Sequence, residues 1–380
     1  MKIFFIAGEP SGDALGGALM QGLRQLCPEV EFRGVGGDAM QAQGMTSRFD
    51  MAELSLLGLV EILPKYFHLK RRIRETAEAI VAWQPDAVIT IDAPDFSLRV
   101  ARQVKAASDI RCVHYVAPTV WAWRPGRAQK MAEVIDHVLA LFPFEPPYME
   151  AAGMACDFVG HPIATAPLAS AEEAAAFRTE IAPDAQPLLL ALPGSRRSEI
   201  ARHTPIFTDS LARIGKAHPG LRVVLPAAAP VADQVRAAVS DWPVPPVIID
   251  ARDVGAEARK RAAFRAADVA LAASGTVSLE LAAAQTPMVI MGDLNWLSRE
   301  IIQRMMLVDT FTLVNLVSDT RVIPEFIGRN CKADLIAPAV SEVLADPTAQ
   351  EQAMALTMER LGKGGEAPGL RAARAVLSRL

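Results

Sequence analysis

The loop PGSRRSEI, at residues 193–200, pairs small residues with charged ones in a way that suits a phosphate-bearing ligand. Ser195 and Arg196 follow a turn and precede a helix-like stretch. Free backbone N–H groups at a helix start, together with an arginine fork, bind a pyrophosphate. A surface loop with solvated arginines is the alternative, and the position of this loop after an apolar strand favours phosphate binding.

The loop ASGTVSLE, at residues 273–280, repeats the order of strand, small residues and helix. Its small residues are Ser274, Gly275 and Thr276. They leave room for a diphosphate at the backbone, and Glu280, one turn into the helix, can accept hydrogen bonds from a ribose diol. Helix capping is the alternative role for these residues. Neither loop matches the P-loop or the GxGxxG pattern, but two such loops in one domain indicate a nucleotide site.

A pair of carboxylates, Asp92 and Asp95, follows the apolar run AVITI in the segment DAPDF. A carboxylate at the carboxyl end of a strand is well placed to act as a general base toward a hydroxyl nucleophile. An Asp-Pro turn with capping carboxylates is the commoner explanation of such a segment. Both interpretations stay open on these residues alone.

The segment GEPSGD, at residues 8–13, lies where the first apolar run, MKIFFIA, gives way to a helix-like stretch. Small residues at a helix N-terminus let a ligand approach the free N–H groups of the backbone. A tight turn with Ser11 or Asp13 as the N-cap is the simpler explanation of these six residues.

The stretch LSLLGLVEILPKYFHLKRRIR, at residues 54–74, combines an apolar helical face with a dense basic cluster. Pro64 is expected to kink or divide the helix. The combination is typical of a helix in an anionic membrane interface, and is as common in a helix that covers a core. The residues predicted to face a membrane are Leu56, Leu59, Val60, Leu63, Phe67, Lys70, Arg71 and Arg72.

These segments need a framework, which the rest of the chain supplies. Strand-length apolar runs alternate with longer stretches of helical spacing, and the rhythm restarts after residues 161–182. We therefore expect two doubly wound α/β domains, at 1–165 and 166–355, each with a parallel sheet covered by helices on both faces. Residues 356–380 are expected to pack as a C-terminal helix against the first domain. Ligands of such sheets bind beyond the carboxyl ends of the strands, where these loops lie.

Composition fits a folded protein of this size. The 380 residues are 51% hydrophobic and 22% charged, and the net charge of −4 shows no global attraction to nucleic acid. Four cysteines without a CxxC pair indicate reduced thiols in a cytosolic protein, and six scattered histidines predict no metal site. No apolar run has the length of a membrane span, and the first is too short for a signal peptide.

The motifs as a set resemble those of the lipid-A-disaccharide synthase family. Ten of them occur in that family's order, from about residue 3 to the last helix: GEPSGD, GVGGDAMQAQGM, LLGLVEIL, IDAPDF, HYVAPTVWAWR, FPFE, VGHP, LPGSRRSE, ASGTVSLE and TPMV. HYVAPTVWAWR and LPGSRRSE are specific in a way that the glycine-rich loops alone are not.

This resemblance implies a GT-B glycosyltransferase, in which two Rossmann-like domains face a cleft and the C-terminal helix returns to the first domain. It implies inverting transfer of 2,3-diacylglucosamine from UDP-2,3-diacylglucosamine to the primary hydroxyl of 2,3-diacylglucosamine 1-phosphate (lipid X), without a metal or other cofactor. It also implies a peripheral enzyme at the cytoplasmic face of an anionic inner membrane, and it permits a homodimer.

The resemblance also implies roles for individual residues. Asp92 is the expected general base, with Asp95 in reserve. The residues expected to bind UDP are Ser195, Arg196, Ser274, Gly275, Thr276, Glu280 and Asn315. Those expected on the acceptor side are Glu9, Ser11, Gly12 and Asp13.

Two positions depart from the family's pattern: Pro10 stands where a small or hydroxyl residue is usual, and Val314 where a proline commonly precedes the asparagine. The alternatives are a UDP-sugar epimerase, a glycosyltransferase with a soluble acceptor, and a non-catalytic nucleotide-sugar or lipid-binding protein. The amphipathic basic stretch argues against a soluble acceptor. The presence of Asp92, Arg196 and Glu280 argues against a binding protein, which needs no base.

Overall fold

The computed structural model describes residues 1–54, 59–293 and 305–380, and the side chains of residues 59–66 lie outside this description. The chain divides into two compact units, the first comprising residues 1–165 with 361–380 and the second residues 166–360. The boundary predicted at 355/356 falls inside the helix Thr348–Arg360, which belongs to the second unit along its whole length. The segment that joins the first unit begins at Leu361.

The first unit contains a six-stranded parallel sheet with helices between the strands, as predicted. The strands are β1 (Lys2–Ala7), β2 (Glu31–Val35), β3 (Ala87–Ile91), β4 (Arg111–Tyr115), β5 (His137–Ala140) and β6 (Ala155–Phe158). The helices are α1 (Pro10–Leu26), α2 (Asp38–Gln41), α3 (Leu59–Trp83), α4 (Pro94–Ala107), α5 (Gly126–Ala132), α6 (Pro146–Glu150) and α15 (Pro368–Leu377). The order of the strands across the sheet is β2-β1-β3-β4-β5-β6.

The second unit repeats this architecture with a different strand order, β12-β11-β10-β7-β8-β9. Its strands are β7 (Leu188–Leu192), β8 (Arg222–Ala227), β9 (Pro246–Asp250), β10 (Val269–Ala273), β11 (Met288–Gly292) and β12 (Glu325–Ile327). Its helices in the described ranges are α7 (Ala171–Ile181), α8 (Arg197–Ala217), α9 (Ala232–Ala238), α10 (Ala256–Ala266), α11 (Val277–Ala284), α12 (Leu313–Ser318), α13 (Ala333–Ala345) and α14 (Thr348–Arg360). Two doubly wound α/β units confirm the predicted fold class.

Helices on both faces explain why the strands read as continuous apolar runs. Alternate residues of β1 enter different cores: Phe4 and Ile6 pack with helices α3 and α4, whereas Ile3 and Phe5 pack with α1 and α15. Every residue of β3, β7, β10 and β11 is buried. None of the helices in the described ranges is long and apolar enough to cross a membrane.

The chain reverses direction across each sheet at one point, and this topological switch point is where open α/β sheets bind ligands. In the first sheet it lies between β1 and β3, which pair through Ala7 and Ile91. In the second it lies between β7 and β10, which pair through Leu192 and Ala272. The segments GEPSGD and DAPDF therefore flank one switch point, and the loops PGSRRSE and ASGTVSLE flank the other.

The C-terminal helix α15 packs against α1 through two glycines. A Cβ added to Gly22 would lie 2.6 Å from the carbonyl oxygen of Gly369, and one added to Gly369 would lie 2.5 Å from that of Ala18. The close approach of the two backbones leaves no space for side chains. Residues Ala372, Ala373 and Val376 of α15 belong to the same buried core as α1 and β1.

Replacing Gly22 with Ala should therefore destabilise the first unit by about 1–3 kcal/mol, because the two helices must move apart to admit the methyl group. Gly126→Ala is the matched control, since nothing lies within 4 Å of a Cβ at that position and Ala favours a helix over Gly. Thermal unfolding followed by circular dichroism distinguishes the two variants. Equal midpoints for Gly22→Ala and the control would contradict the packing described.

Candidate functional site

The loop after β3 holds Asp92 in an uncommon backbone conformation. Asp92 and Ala93 have φ values of 50° and 45°, in the left-handed region that is unfavourable for Ala. The turn is fixed by hydrogen bonds that the Asp92 N–H donates to the Tyr115 carbonyl (3.1 Å) and that Ser97 Oγ donates to the Asp92 carbonyl (3.0 Å). Such strain is stored where a fold must present a group in one orientation.

The Asp92 side chain lines a pocket of about 670 Å³ beside the switch point of the first sheet. Asp95 from the first turn of α4 and Glu9 from the loop after β1 line the same pocket. None of these three carboxylates has a side-chain hydrogen bond or an ion pair within the described part of the chain. The structure thus brings both predicted candidates for the base together with Glu9.

Asp13 has a different role from the one predicted. Its carboxylate is buried and accepts hydrogen bonds from the backbone N–H groups of Gly37 (2.8 Å), Ala39 (2.8 Å) and Met40 (3.1 Å). These bonds tie α1 to the start of α2 and occupy three of the roughly four acceptor positions of the carboxylate. We therefore assign Asp13 to the framework and correct its placement on the acceptor side.

The positions of the other residues of GEPSGD are set by helix α1, which begins within this segment. Pro10 is the first residue of α1, a position where proline is favoured because its missing N–H has no helical partner. Ser11 is exposed in the same turn, while Gly12 is buried with its Cα facing Ile91. Of the predicted acceptor-side residues, Glu9 alone lines the pocket that contains Asp92.

A second pocket, of about 570 Å³, lies at the carboxyl ends of β7, β8, β9 and β10 in the second unit. It contains six of the residues predicted to bind UDP: Ser195, Arg196, Ser274, Gly275, Thr276 and Glu280. Its lining also includes the apolar residues Pro226, Ile249 and Phe264. The pocket therefore combines a cationic loop, a small-residue loop and apolar surface.

Glu199 occupies the anion-binding position of the first loop. Its carboxylate accepts hydrogen bonds from the N–H groups of Ser195 (3.0 Å) and Arg196 (3.2 Å), and from the Arg196 guanidinium (2.9 Å). The backbone donors expected to face a pyrophosphate are thus directed at a carboxylate of the chain itself. The Arg196 side chain remains 78% exposed, so its remaining N–H groups are accessible to a ligand.

Glu280 is paired with a residue that the sequence analysis did not single out. Lys260 Nζ lies 2.8 Å from Glu280 Oε2, and both line the second pocket. Lys260 faces the loop from α10, 20 positions earlier in the chain. A lone lysine in a helix carries no local signal of this role, so only the fold could identify it.

Asn315 does not reach the pocket. Its side chain is buried in α12, where Nδ2 donates to the Ile323 carbonyl and to Glu325 Oε1 (both 3.0 Å), and Oδ1 accepts from the Ile323 N–H (3.0 Å). Every polar atom of the amide has a partner. Asn315 therefore joins α12 to the segment that precedes β12, and not to the donor phosphates as predicted.

The basic helix α3 runs as one helix from Leu59 to Trp83, so Pro64 does not divide it. Leu56 lies outside the described residues, and the side chains of Leu59, Val60 and Leu63 are likewise outside them. Phe67 is 81% exposed, and Lys70 and Arg71 are also exposed. Arg72 forms an ion pair within the chain, because its guanidinium contacts both carboxylate oxygens of Glu53 at 2.8 and 2.9 Å.

The residues of HYVAPTVWAWR are mostly packed. His114 is buried with Nδ1 2.7 Å from Thr90 Oγ1, and burial lowers its pKa to about 4. Trp121 packs edge-on against Phe144 and donates to Glu145 Oε1 at 3.2 Å. Trp123 differs, because it is only partly buried and lies beneath the Arg124 guanidinium.

Glu145 is expected to make the stability of the first unit depend on pH. Burial raises the pKa of this carboxyl from 4.5 to about 7, although N–H groups of Phe142, Trp121 and Leu141 oppose the shift. The folded state then holds a proton that the unfolded state releases above pH 4.5, so stability falls as the pH rises from about 4.5 to 7. The change is on the order of 3 kcal/mol.

Glu145→Gln, which cannot ionise, should remove that part of the pH dependence. The measurement is the free energy of unfolding in urea at pH 5 and pH 7.5, for both proteins. A variant whose loss of stability between the two pH values equals that of the unmodified chain would show that Glu145 is already ionised at pH 5.

Comparison with known proteins agrees with the order of the motifs. The family model described as Lipid-A-disaccharide synthetase matches residues 3–376. A Lipid-A-disaccharide synthase of Ruegeria pomeroyi is 65% identical over 383 residues, which cover 100% of this chain and 96% of that protein. One of Rhodospirillum centenum is 47% identical over 385 residues, covering 100% and 94%.

Solved structures similar to this chain share its fold at low sequence identity. UDP-GlcNAc 2-epimerase from Neisseria meningitidis, bound to UDP-GlcNAc, has a TM-score of 0.61 and 11% identity, covering 100% of this chain and 99% of that one. Anabaena Alr3699/HepE, in complex with UDP and glucose, has a TM-score of 0.59 and 11% identity, covering 100% of both. These similarities show the two-domain GT-B type of α/β fold.

Proposed function

Because the chain belongs to the lipid-A-disaccharide synthase family, it is a glycosyltransferase that forms the lipid A disaccharide from a UDP-sugar, and we propose the following substrates and mechanism. The donor is UDP-2,3-diacylglucosamine and the acceptor is lipid X, whose primary hydroxyl attacks the anomeric carbon. The observation that carries the proposal is the unpaired, strained Asp92 at the switch point of the first sheet.

The donor's UDP group is assigned to the second pocket. Its apolar residues suit a flat base, and the small residues Ser274, Gly275 and Thr276 allow a diphosphate to approach the backbone. Arg196 supplies a guanidinium for the charge that UDP carries as it leaves. For this, the diphosphate displaces or shares the Glu199 carboxylate that now faces the same N–H groups.

Asp92 is assigned as the general base. It removes the proton of the acceptor's primary hydroxyl while the oxygen forms a bond to the anomeric carbon and the bond from that carbon to UDP breaks. A single displacement of this kind inverts the configuration at the anomeric carbon. The negative charge that develops on UDP is stabilised by Arg196 and backbone N–H groups, so the mechanism needs no metal.

Contact with an anionic membrane is assigned to the exposed part of α3. Both substrates carry acyl chains, and the exposed Phe67 lies one turn before Lys70 and Arg71. An aromatic side chain with adjacent cations is the arrangement that holds a helix in a lipid interface. We accordingly propose a peripheral enzyme at the cytoplasmic face of the inner membrane.

The test is an assay of the purified protein in detergent micelles with UDP-2,3-diacylglucosamine and lipid X. UDP release and the disaccharide phosphate are followed by mass spectrometry, with and without EDTA. We expect product that needs both substrates and is insensitive to EDTA. Modification of the donor in the absence of acceptor would instead indicate an epimerase, and UDP binding without product would indicate a binding protein.

A further inference from the structure

The pocket that contains Asp92, here named the α4 pocket, has two charged ends and an apolar wall. Residues Asp95, Arg99, Arg102 and Gln103 of α4 line it, at the spacing of one helix face. From α3 come Lys70 and the apolar residues Leu69 and Ile73, while Phe96 and Leu54 extend the apolar wall. The carboxylates Glu9, Asp92 and Asp95 lie at the end nearest the strands.

Of the three cations that line the α4 pocket, Arg102 is paired with Glu133 at 3.3 Å, whereas the other two lack acidic partners in the part of the chain that the structure describes. Arg99 and Lys70 are exposed and form no hydrogen bond or ion pair with the described residues. By contrast, the arginines among the described side chains of α3 form ion pairs: Arg71 with Glu75 (3.6 Å), Arg72 with Glu53 (2.8 Å) and Arg74 with Glu78 (3.7 Å). Arg99 and Lys70 therefore keep their N–H groups available to an anionic ligand in the pocket.

The spacing of these charges limits where an anion can lie. Arg99 is four residues beyond Asp95 along α4, a rise of about 6 Å, and Arg102 is almost one turn further. A dianion therefore lies at the Arg99 end, away from the carboxylates that repel it. The distance back to Asp92 and Asp95 is then of the order of one hexose ring.

We propose that the α4 pocket binds the acceptor through its phosphate monoester, which Arg99 and Lys70 hold with the support of Arg102. This assignment rests on the proposed function. The acyl chains of the acceptor lie along Leu69, Ile73 and Phe96, and the sugar ring spans the pocket so that its primary hydroxyl reaches the carboxylate end. The phosphate thus selects the acceptor and orients its hydroxyl toward Asp92.

Replacing Arg99 with Gln should raise the KM for lipid X about 10- to 100-fold, which is the loss expected for one charge-assisted contact. The KM for the donor and the affinity for UDP should stay unchanged, because both belong to the second unit. Arg99→Lys should recover part of the loss. Lys130→Gln, which removes an exposed cation of α5 outside the pocket, is the control and should leave all constants unchanged.

The decisive comparison uses an acceptor analogue without the phosphate. The unmodified enzyme should bind lipid X more tightly than the analogue in uncharged micelles, and Arg99→Gln should lose most of this preference, the remainder coming from Lys70 and Arg102. Arg99→Gln that retains the preference for the phosphate would overturn the proposal. Loss of binding to phosphatidylglycerol vesicles, with unchanged KM for lipid X, would assign Arg99 to a lipid headgroup instead and also overturn it.

Direct binding separates this proposal from the proposed function. If phosphate-dependent binding needs Arg99 but no disaccharide forms, then the pocket is assigned correctly and the proposed reaction is wrong. If the disaccharide forms and Arg99→Gln has no effect on lipid X, the reaction stands and the phosphate site is refuted.

Discussion

Replacing Asp92 with Asn should lower kcat about 10²- to 10⁴-fold while leaving UDP affinity unchanged. Asn keeps the size of the side chain and tolerates the left-handed backbone of Asp92, so the loop should keep its conformation. What is lost is the ability to accept the hydroxyl proton, and general base catalysis contributes a factor of this size. Single-turnover kinetics of UDP release, together with titration of UDP, measure the two effects separately.

Asp95→Asn is the matched comparison. Asp95 lines the same pocket and carries the same charge, but it lies on α4 with ordinary helical geometry. We expect a much smaller effect on kcat than that of Asp92→Asn. Normal turnover of Asp92→Asn with a large loss in Asp95→Asn would transfer the role of base to Asp95 and leave the rest of the account intact.

Replacing Arg196 with Gln should lower kcat/KM for the donor about 10- to 100-fold. The Arg196 guanidinium lines the second pocket and donates only one of its N–H groups to Glu199. Its other N–H groups can therefore bind the diphosphate and stabilise the charge that develops on UDP. Most of the loss should appear in kcat, because the charge on UDP increases as the bond breaks. The measurement is steady-state kinetics with the donor varied at saturating lipid X.

Arg197→Gln provides the control for this experiment. It removes the same charge from the adjacent residue, which is exposed but does not line the pocket. We expect donor kinetics close to those of the unmodified enzyme. Equal losses in the two variants would mean that the loop acts through its net charge alone, and Arg196 would then lose its specific role.

The elements of the fold were predictable because the central strands are buried on both faces. Runs such as AVITI and LLLAL are apolar throughout, and the loops that follow them end in glycine, proline and charged residues. The order of the strands within each sheet was not readable from these runs. It is this order that places GEPSGD beside DAPDF and PGSRRSE beside ASGTVSLE, at the two switch points.

Residue type alone could not separate ligand contacts from framework contacts. Asp13 and Asn315 have the side chains that a sugar or phosphate site needs, yet both satisfy their polar atoms with backbone groups up to 27 positions away. Conversely, Glu199 and Lys260 line the second pocket and Arg99 lines the α4 pocket, because the packing of the helices brings these side chains there. The bonds from Gly37, Ala39 and Met40 to Asp13 join segments that are distant in the chain, and such bonds have no local signature in the sequence.

The measurement that tests the central claim most directly is the anomeric configuration of the new linkage. The claim is a single displacement, in which the hydroxyl activated by Asp92 attacks the anomeric carbon as UDP departs. The coupling constant of the anomeric proton, measured by NMR on the purified disaccharide, reports the configuration. We predict the configuration opposite to that of the donor, whereas a product with the donor's own configuration would contradict direct attack.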